Sequence, residues 1–443
     1  MIVTEKDPAI QHPLLQRISE ARGRSDTLFK LVRPAALYDR PIPERHRTIF
    51  YLGHLEAFDW NLLHDILGAK NFHPELDRLF AFGIDPVGGG LPFDVASDWP
   101  PLETVIGYVG GIRAALDEKL AHKILEPNAA TRDGFSLDRL LNVAIEHRLM
   151  HLETLAYMLH QLPFDKKVRE VSAAALATPP ITPRMIKIPA GVAMMGLSRS
   201  AGSFGWDNEF EAHQMLVPAF EMDRFMVTNR QYLDFMSAGG YDTPSLWSDT
   251  GWFWKTANGL SHPVFWKQAS GQWFYRSMFE VIPLPLDWPV YVSHAEAMAY
   301  TRWAKKSLPT EEEWHRAAYG TPYGIEKTYT WGDQATASRL GNFDFNRWDP
   351  QPVNAFSRSQ SAFGVVGMLG NGWEWTSTIF APFPGFERFP FYPGYSADFF
   401  DGKHFVMKGG SARTAACMLR PTFRNWFQGH YQYVYAGFRC VSR

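Results

Sequence analysis

Apolar residues recur at helical spacing through four stretches near the start of the chain, around positions 10–31, 43–68, 101–121 and 136–161, each rich in Leu, Ala, Glu and Arg. The last is the clearest. From Leu137 to Gln161 there is no glycine or proline, Ser136 stands where a helix takes an N-cap, and Pro163 stands just past the end. Leu140, Ala144, Leu155 and Met158 form its apolar stripe, which His147 and His151 continue one helical turn apart. Both imidazoles therefore face an interior. Four such segments predict an antiparallel helical bundle over residues 1–165, and the core of a bundle is a usual place for a metal.

The pattern changes from Gln161 to Arg184, where Thr178-Pro179-Pro180-Ile181-Thr182-Pro183 is extended and hostile to helix, so residues 166–184 are expected to be a linker. Beyond it, over 185–443, the chain is rich in Gly, Trp, Phe and Tyr, with short alternating runs such as Met185–Met195 and Met215–Met226 that predict irregular β structure. A helix is expected over Ser293–Lys306. A second opens at Thr310, which forms a capping box with Glu313.

At 443 residues the chain is long for one core, in keeping with two domains. Hydrophobic content of 46% and charge of 20% are those of an ordinary soluble protein. With 44 basic against 46 acidic residues the formal charge is −2, which favours neither nucleic acid nor a membrane surface as partner. Residues 1–7 lack the charged-then-apolar form of a leader and no run reaches the roughly 18 apolar residues of a membrane span, so a cytoplasmic location is expected. Cys417 and Cys440 are too few for a disulfide framework or a zinc site of their own, and thiols are expected.

Two imidazoles in one apolar stripe cost free energy unless their nitrogens are satisfied. A first-row metal satisfies both together, and the alternative is two core histidines each with a hydrogen-bonded partner; a third ligand decides between them. His54 offers one, since four-residue spacing puts it with Phe50 and Phe58 on an apolar side of the second helix. Glu153 lies two residues past His151, roughly 200° around a helix, and so belongs outside the ligand set. His64, His73 and His160 read as surface or structural residues.

Five ordered motifs then carry a resemblance. Phe225-Met226-Val227-Thr228-Asn229-Arg230-Gln231-Tyr232, Leu308-Pro309-Thr310-Glu311-Glu312-Glu313-Trp314, Gly370-Asn371-Gly372-Trp373-Glu374-Trp375-Thr376, Gly409-Gly410-Ser411 and Ala436-Gly437-Phe438-Arg439-Cys440 resemble the formylglycine-generating-enzyme fold, a variant of the C-type lectin fold. Joined to a bundle carrying HxxxHxE, the chain resembles the ergothioneine-type sulfoxide synthases, with the ovothiol and selenoneine synthases as relatives. The fold class implied is multidomain α and α+β, a DinB-like four-helix bundle followed by a formylglycine-generating-enzyme-like domain. The resemblance implies one non-haem iron(II) held by His54, His147 and His151 at the domain boundary, with O2 activated there. It implies that Asn425 and Trp426 hold Nα-trimethylhistidine, also called hercynine, and that Tyr392 or Tyr395 supplies a proton.

Phe427 and Tyr431 stand where mycobacterial-type members carry the Asp and Arg that hold γ-glutamylcysteine, and Met150 stands where Gln is frequent. Residues 52–107 contain no tyrosine to match the pair of a cysteine-using subgroup. The donor is then free cysteine or another thiol held by other groups, or the stacked ring of a selenosugar as in selenoneine synthases. Two readings of other classes stand beside this one. A formylglycine-generating oxidase needs two cysteines after Gly409-Gly410-Ser411, where Cys417 alone precedes Cys440. A lectin-like binding protein leaves three inward histidines without a purpose.

Overall fold

A computed structural model of the chain describes residues 12–81, 92–124, 131–171 and 174–443, which divide into two units, Met1–Glu170 and Val171–Arg443. The first holds helices α1 (Pro13–Phe29), α2 (Thr48–Leu63), α3 (Pro74–Leu79), α4 (Leu102–Lys123) and α5 (Leu137–Gln161). Positions 10 and 11 of the expected first segment lie outside the described residues. α5 begins where Ser136 Oγ accepts the Arg139 amide at 3.4 Å and ends at Gln161, with Leu162 as its C-cap just before Pro163. The segment expected over 43–68 is shorter as a helix, because Pro41 and Pro43 precede it and the chain turns after Leu63 towards Gly68 at φ 63°.

α1 packs on α5, and α2 packs on both α4 and α5. α2 is buried around nearly its whole circumference, its acidic residues Glu56 and Asp59 included, so it forms the centre of this unit. Gly53 is what lets the segment after α3 approach it: a Cβ there would lie 2.6 Å from the Phe80 ring.

The second unit holds α6 (Asn229–Ser237), α7 (Asp249–Ala257), α8 (His294–Trp303) and α9 (Glu311–Tyr319) among small sheets. The expected box at α9 is present: Thr310 Oγ1 accepts the Glu313 amide at 3.2 Å and Glu313 Oε2 accepts the Thr310 amide at 2.9 Å. Thr228 with Gln231 and Ser293 with Glu296 open α6 and α8 in the same way. The runs Met185–Met195 and Met215–Met226 are each broken, at Pro189 and Pro218, so that Met185–Ile188 pairs with Phe220–Asp223 and Gly191–Met195 pairs with His213–Val217. α6 and α7 went unanticipated.

The principal sheet has four strands in the order Asn425–Gln428, His404–Lys408, Trp373–Ile379, Ala436–Gly437, the last parallel to its neighbour and the others antiparallel. Beneath it Glu374 accepts two bonds from Arg439, each 2.6 Å, and one from the Trp314 indole at 2.8 Å, tying α9, the sheet and the C-terminus together. Trp373 and Trp375 are buried core residues, and Trp375 donates to the Val292 carbonyl at 2.8 Å. Asn371, at φ 69°, makes a turn whose side chain bonds Gln351 and Asn342. Of the sixteen tryptophans, Trp60 and Trp99 belong to the first unit and the rest to the second. No helix among the described residues is long and apolar enough to cross a membrane.

Candidate functional site

Three ring nitrogens converge inside the first unit. His54 Nε2 lies 3.3 Å from His151 Nε2, which lies 3.0 Å from His147 Nε2, and all three residues are buried. His54 Nδ1 sits 2.7 Å from the Phe80 carbonyl. A carbonyl only accepts, so that nitrogen carries the proton and Nε2 presents a bare lone pair. Phe50 stacks on the His54 ring at 4.8 Å and 22°, and Phe58 on the His147 ring at 3.4 Å and 11°. The second pairing crosses from α2 to α5.

Burial drives the His54 pKa down to about 4, against the pull of the Phe80 carbonyl, and pushes His147 and His151 well below the ordinary histidine value. All three are therefore neutral, as ligands must be. A single N–H on His151 Nε2 can aim its hydrogen at the lone pair of one neighbour, whereas one cation serves all three. The donor set fits a first-row metal: three neutral imidazoles, one oriented by a backbone carbonyl, suit iron, zinc, copper or nickel by ligand type.

Among the described residues this is the one cluster of His, Cys, Asp or Glu with metal-ligand spacing, and Glu153 is outside it. His64 pairs with Asp65 at 3.0 Å, His73 caps α3 by accepting the Leu76 amide at 3.4 Å, and His160 is buried on α5 away from the cluster. Behind the three histidines lies a group of buried charges that spacing alone did not single out. Arg148, next to His147, meets Glu56 and Asp59 of α2.

In the second unit Asn425, Trp426 and Phe427 lie on the strand paired with His404–Lys408, so consecutive side chains point to opposite faces. Trp426 stacks flat on Phe380 at 4.2 Å and 6°, with Tyr395 edge-on at 5.5 Å and Phe399 at 5.6 Å. Tyr395 in turn stacks on Trp206 at 4.0 Å. Tyr392 touches Tyr395 at 5.5 Å. Ser396, which follows Tyr395, donates to Asp207 Oδ1 at 2.6 Å, and burial pushes the Asp207 carboxyl up to about 6. On the opposite face Phe427 and Tyr431 stack at 4.8 Å and 18°, with Tyr433 edge-on to Tyr431. Asn425 Oδ1 accepts the Trp426 amide at 2.9 Å. Trp206 and Asp207 were not anticipated, since a contact across 189 residues leaves no local pattern.

Residues 172–443 match the family described as the sulfatase-modifying factor enzyme 1-like domain. The chain is 35% identical over 321 residues to the protein named hercynine oxygenase of Mycolicibacterium thermoresistibile, across 69% of this chain and 71% of that one. It is 34% identical over 337 residues to the hercynine oxygenase of Mycobacterium tuberculosis, across 75% and 76%. Ergothioneine biosynthesis protein 1 of Neurospora crassa is 29% identical over 496 residues, across 91% of this chain and 55% of that protein. A helical first unit joined to a sulfatase-modifying factor enzyme 1-like second unit, with these relatives, places the chain in the hercynine oxygenase family of ergothioneine-type sulfoxide synthases.

Proposed function

We propose that this chain is an O2-dependent, non-haem iron(II) enzyme that joins the imidazole ring of hercynine to a thiol or selenol donor, in the formation of ergothioneine or selenoneine. The observation that carries the reading is the meeting of three neutral Nε2 atoms from α2 and α5. His54, His147 and His151 would hold the ion. When bound, iron(II) supplies the one-electron chemistry that O2 requires and keeps about three coordination positions open. For a thiol donor the reaction balances as an imidazole C–H, an S–H and O2 giving a C–S bond, a sulfoxide oxygen and water.

The chain's own residues supply the rest. The Trp426 face, with Phe380, Tyr395 and Phe399 around it, offers π surface to a quaternary ammonium. Asn425, its Oδ1 engaged by the Trp426 amide, offers its Nδ2 hydrogens to the acceptor. Tyr395 is the better placed of the two tyrosines to give a proton, because it touches Trp426 directly and Tyr392 does so through Tyr395. The Phe427–Tyr431 stack favours a donor with a ring to lay against it, such as a selenosugar, over the doubly zwitterionic γ-glutamylcysteine.

The test is direct. Iron-loaded protein is given hercynine with each donor in turn, and oxygen uptake and product mass are followed. Oxygen consumed only when both partners are present, with a product carrying the new carbon–chalcogen bond, is the expected result. Protein that binds no iron, or consumes oxygen without hercynine, ends the proposal.

A further inference from the structure

We infer that Arg148 is a positioning residue for the metal centre: its fork onto Glu56 and Asp59 sets the register of α2 against α5 and so the spacing of the three ligand nitrogens. The inference rests on the metal-binding part of the function proposed above.

The contacts are specific and dry. Arg148 is 1% exposed, Glu56 1% and Asp59 3%. The guanidinium donates to Glu56 Oε1 at 2.9 Å, Glu56 Oε2 at 2.8 Å, Asp59 Oδ2 at 2.6 Å, the Leu55 carbonyl at 3.2 Å and Ser25 Oγ at 3.3 Å. Arg148 directly follows His147, and Glu56 lies two residues past His54. The ion pair therefore joins the same two turns that carry the ligands, from behind. Glu56 also accepts from Arg113 of α4 at 2.8 Å, and Arg113 forks onto Asp26 of α1 at 2.8 Å and 2.8 Å, which brings all four long helices to this point.

Stability alone does not account for such a cluster. Buried ion pairs are commonly no more stabilising than apolar residues of the same volume, because desolvation offsets the attraction. What they add is direction. Apolar faces slide past one another at little cost, while a forked charge-assisted bond holds one register. One ligand is on α2 and two are on α5, so a slip between these helices would open the 3.3 Å gap between His54 and His151 while leaving the 3.0 Å gap within α5 unchanged.

The test titrates cobalt(II), and iron(II) without oxygen, into metal-free wild type and three variants of the full chain. Arg148→Lys keeps the charge and loses the fork. The neutral triple variant Arg148→Met, Glu56→Gln, Asp59→Asn keeps the volume and loses both. Leu141→Ala, buried on α5 about two turns before Arg148, is the packing control. Binding about 10- to 100-fold weaker in the first two, with a changed cobalt visible spectrum and native far-UV circular dichroism, is expected. The control should melt earlier and bind as wild type does. Wild-type affinity and spectrum in whichever of the two variants folds, or equal weakening in Leu141→Ala, overturns the inference. Wild type that takes up neither metal overturns the metal reading itself.

Discussion

At the scale of single residues, a backbone carbonyl decides which nitrogen of His54 is available, and burial keeps all three rings neutral. Changing His147 or His151 to Ala should abolish metal loading, measured by elemental analysis, while the tryptophan emission of the second unit is unchanged; full metal content in both variants would remove them as ligands. Asn425→Ala should raise the Michaelis constant for hercynine about tenfold, the loss of roughly one good hydrogen bond, with metal content untouched. An unchanged constant would take Asn425 out of the site. Spacing was enough to place the three histidines on inward faces, because four residues make nearly a turn whatever surrounds them. It also put Phe58 on the His54 side, where its ring lies 6.3 Å from that imidazole, but the closer stack of Phe58 on His147 depends on how two helices pack. Tyr395 could not be preferred to Tyr392 for the same reason. The preference comes from the fold of an irregular segment against a distant strand.

At the scale of elements, legibility followed punctuation. Ser136, Pro163 and the Thr310–Glu313 pair mark their boundaries in local chemistry, and those boundaries stand. Asp249–Ala257 is a helix carrying Trp252, Phe253 and Trp254, residues whose bulk suits strands equally well, so its start is marked by the capping Ser248 rather than by propensity. Thr310→Ala should lower the stability of the second unit by about 1 kcal/mol, read as a shift of the urea midpoint at constant slope. Gly53→Ala tests the opposite expectation to the usual one. An exposed helical glycine gains about 0.5–1 kcal/mol when replaced by alanine, but here the added carbon meets the Phe80 ring and displaces the carbonyl that orients His54. The variant should melt earlier and bind cobalt more weakly. Equal binding would show that the Phe80 carbonyl does not govern the ligand.

At the scale of the whole chain, two units and a histidine cluster confined to the first mean that unfolding should not be a single two-state event. Metal at about a hundred times its dissociation constant should stabilise the first unit by about 2.7 kcal/mol, and a chelator should reverse this. In the second unit acid acts through two paired carboxylates. Burial alone would raise the carboxyls of Glu209 and Glu311, but Arg420 beside the one and Arg424 beside the other hold both below the usual range. A depressed folded-state value means stability that is complete above the unfolded value of about 4.3 and is lost as pH falls through the lower folded values. Glu311→Gln should therefore be less stable at neutral pH and respond less to acid than wild type; parallel pH profiles would refute this. The lopsided placement of the tryptophans bears on every such measurement. Intrinsic emission is weighted towards the lectin-like unit, with Trp99 reaching His54 through the Phe50 ring, whereas cobalt absorbance reports on the histidines alone, so the molecule comes with two optical channels that can be read in one cuvette.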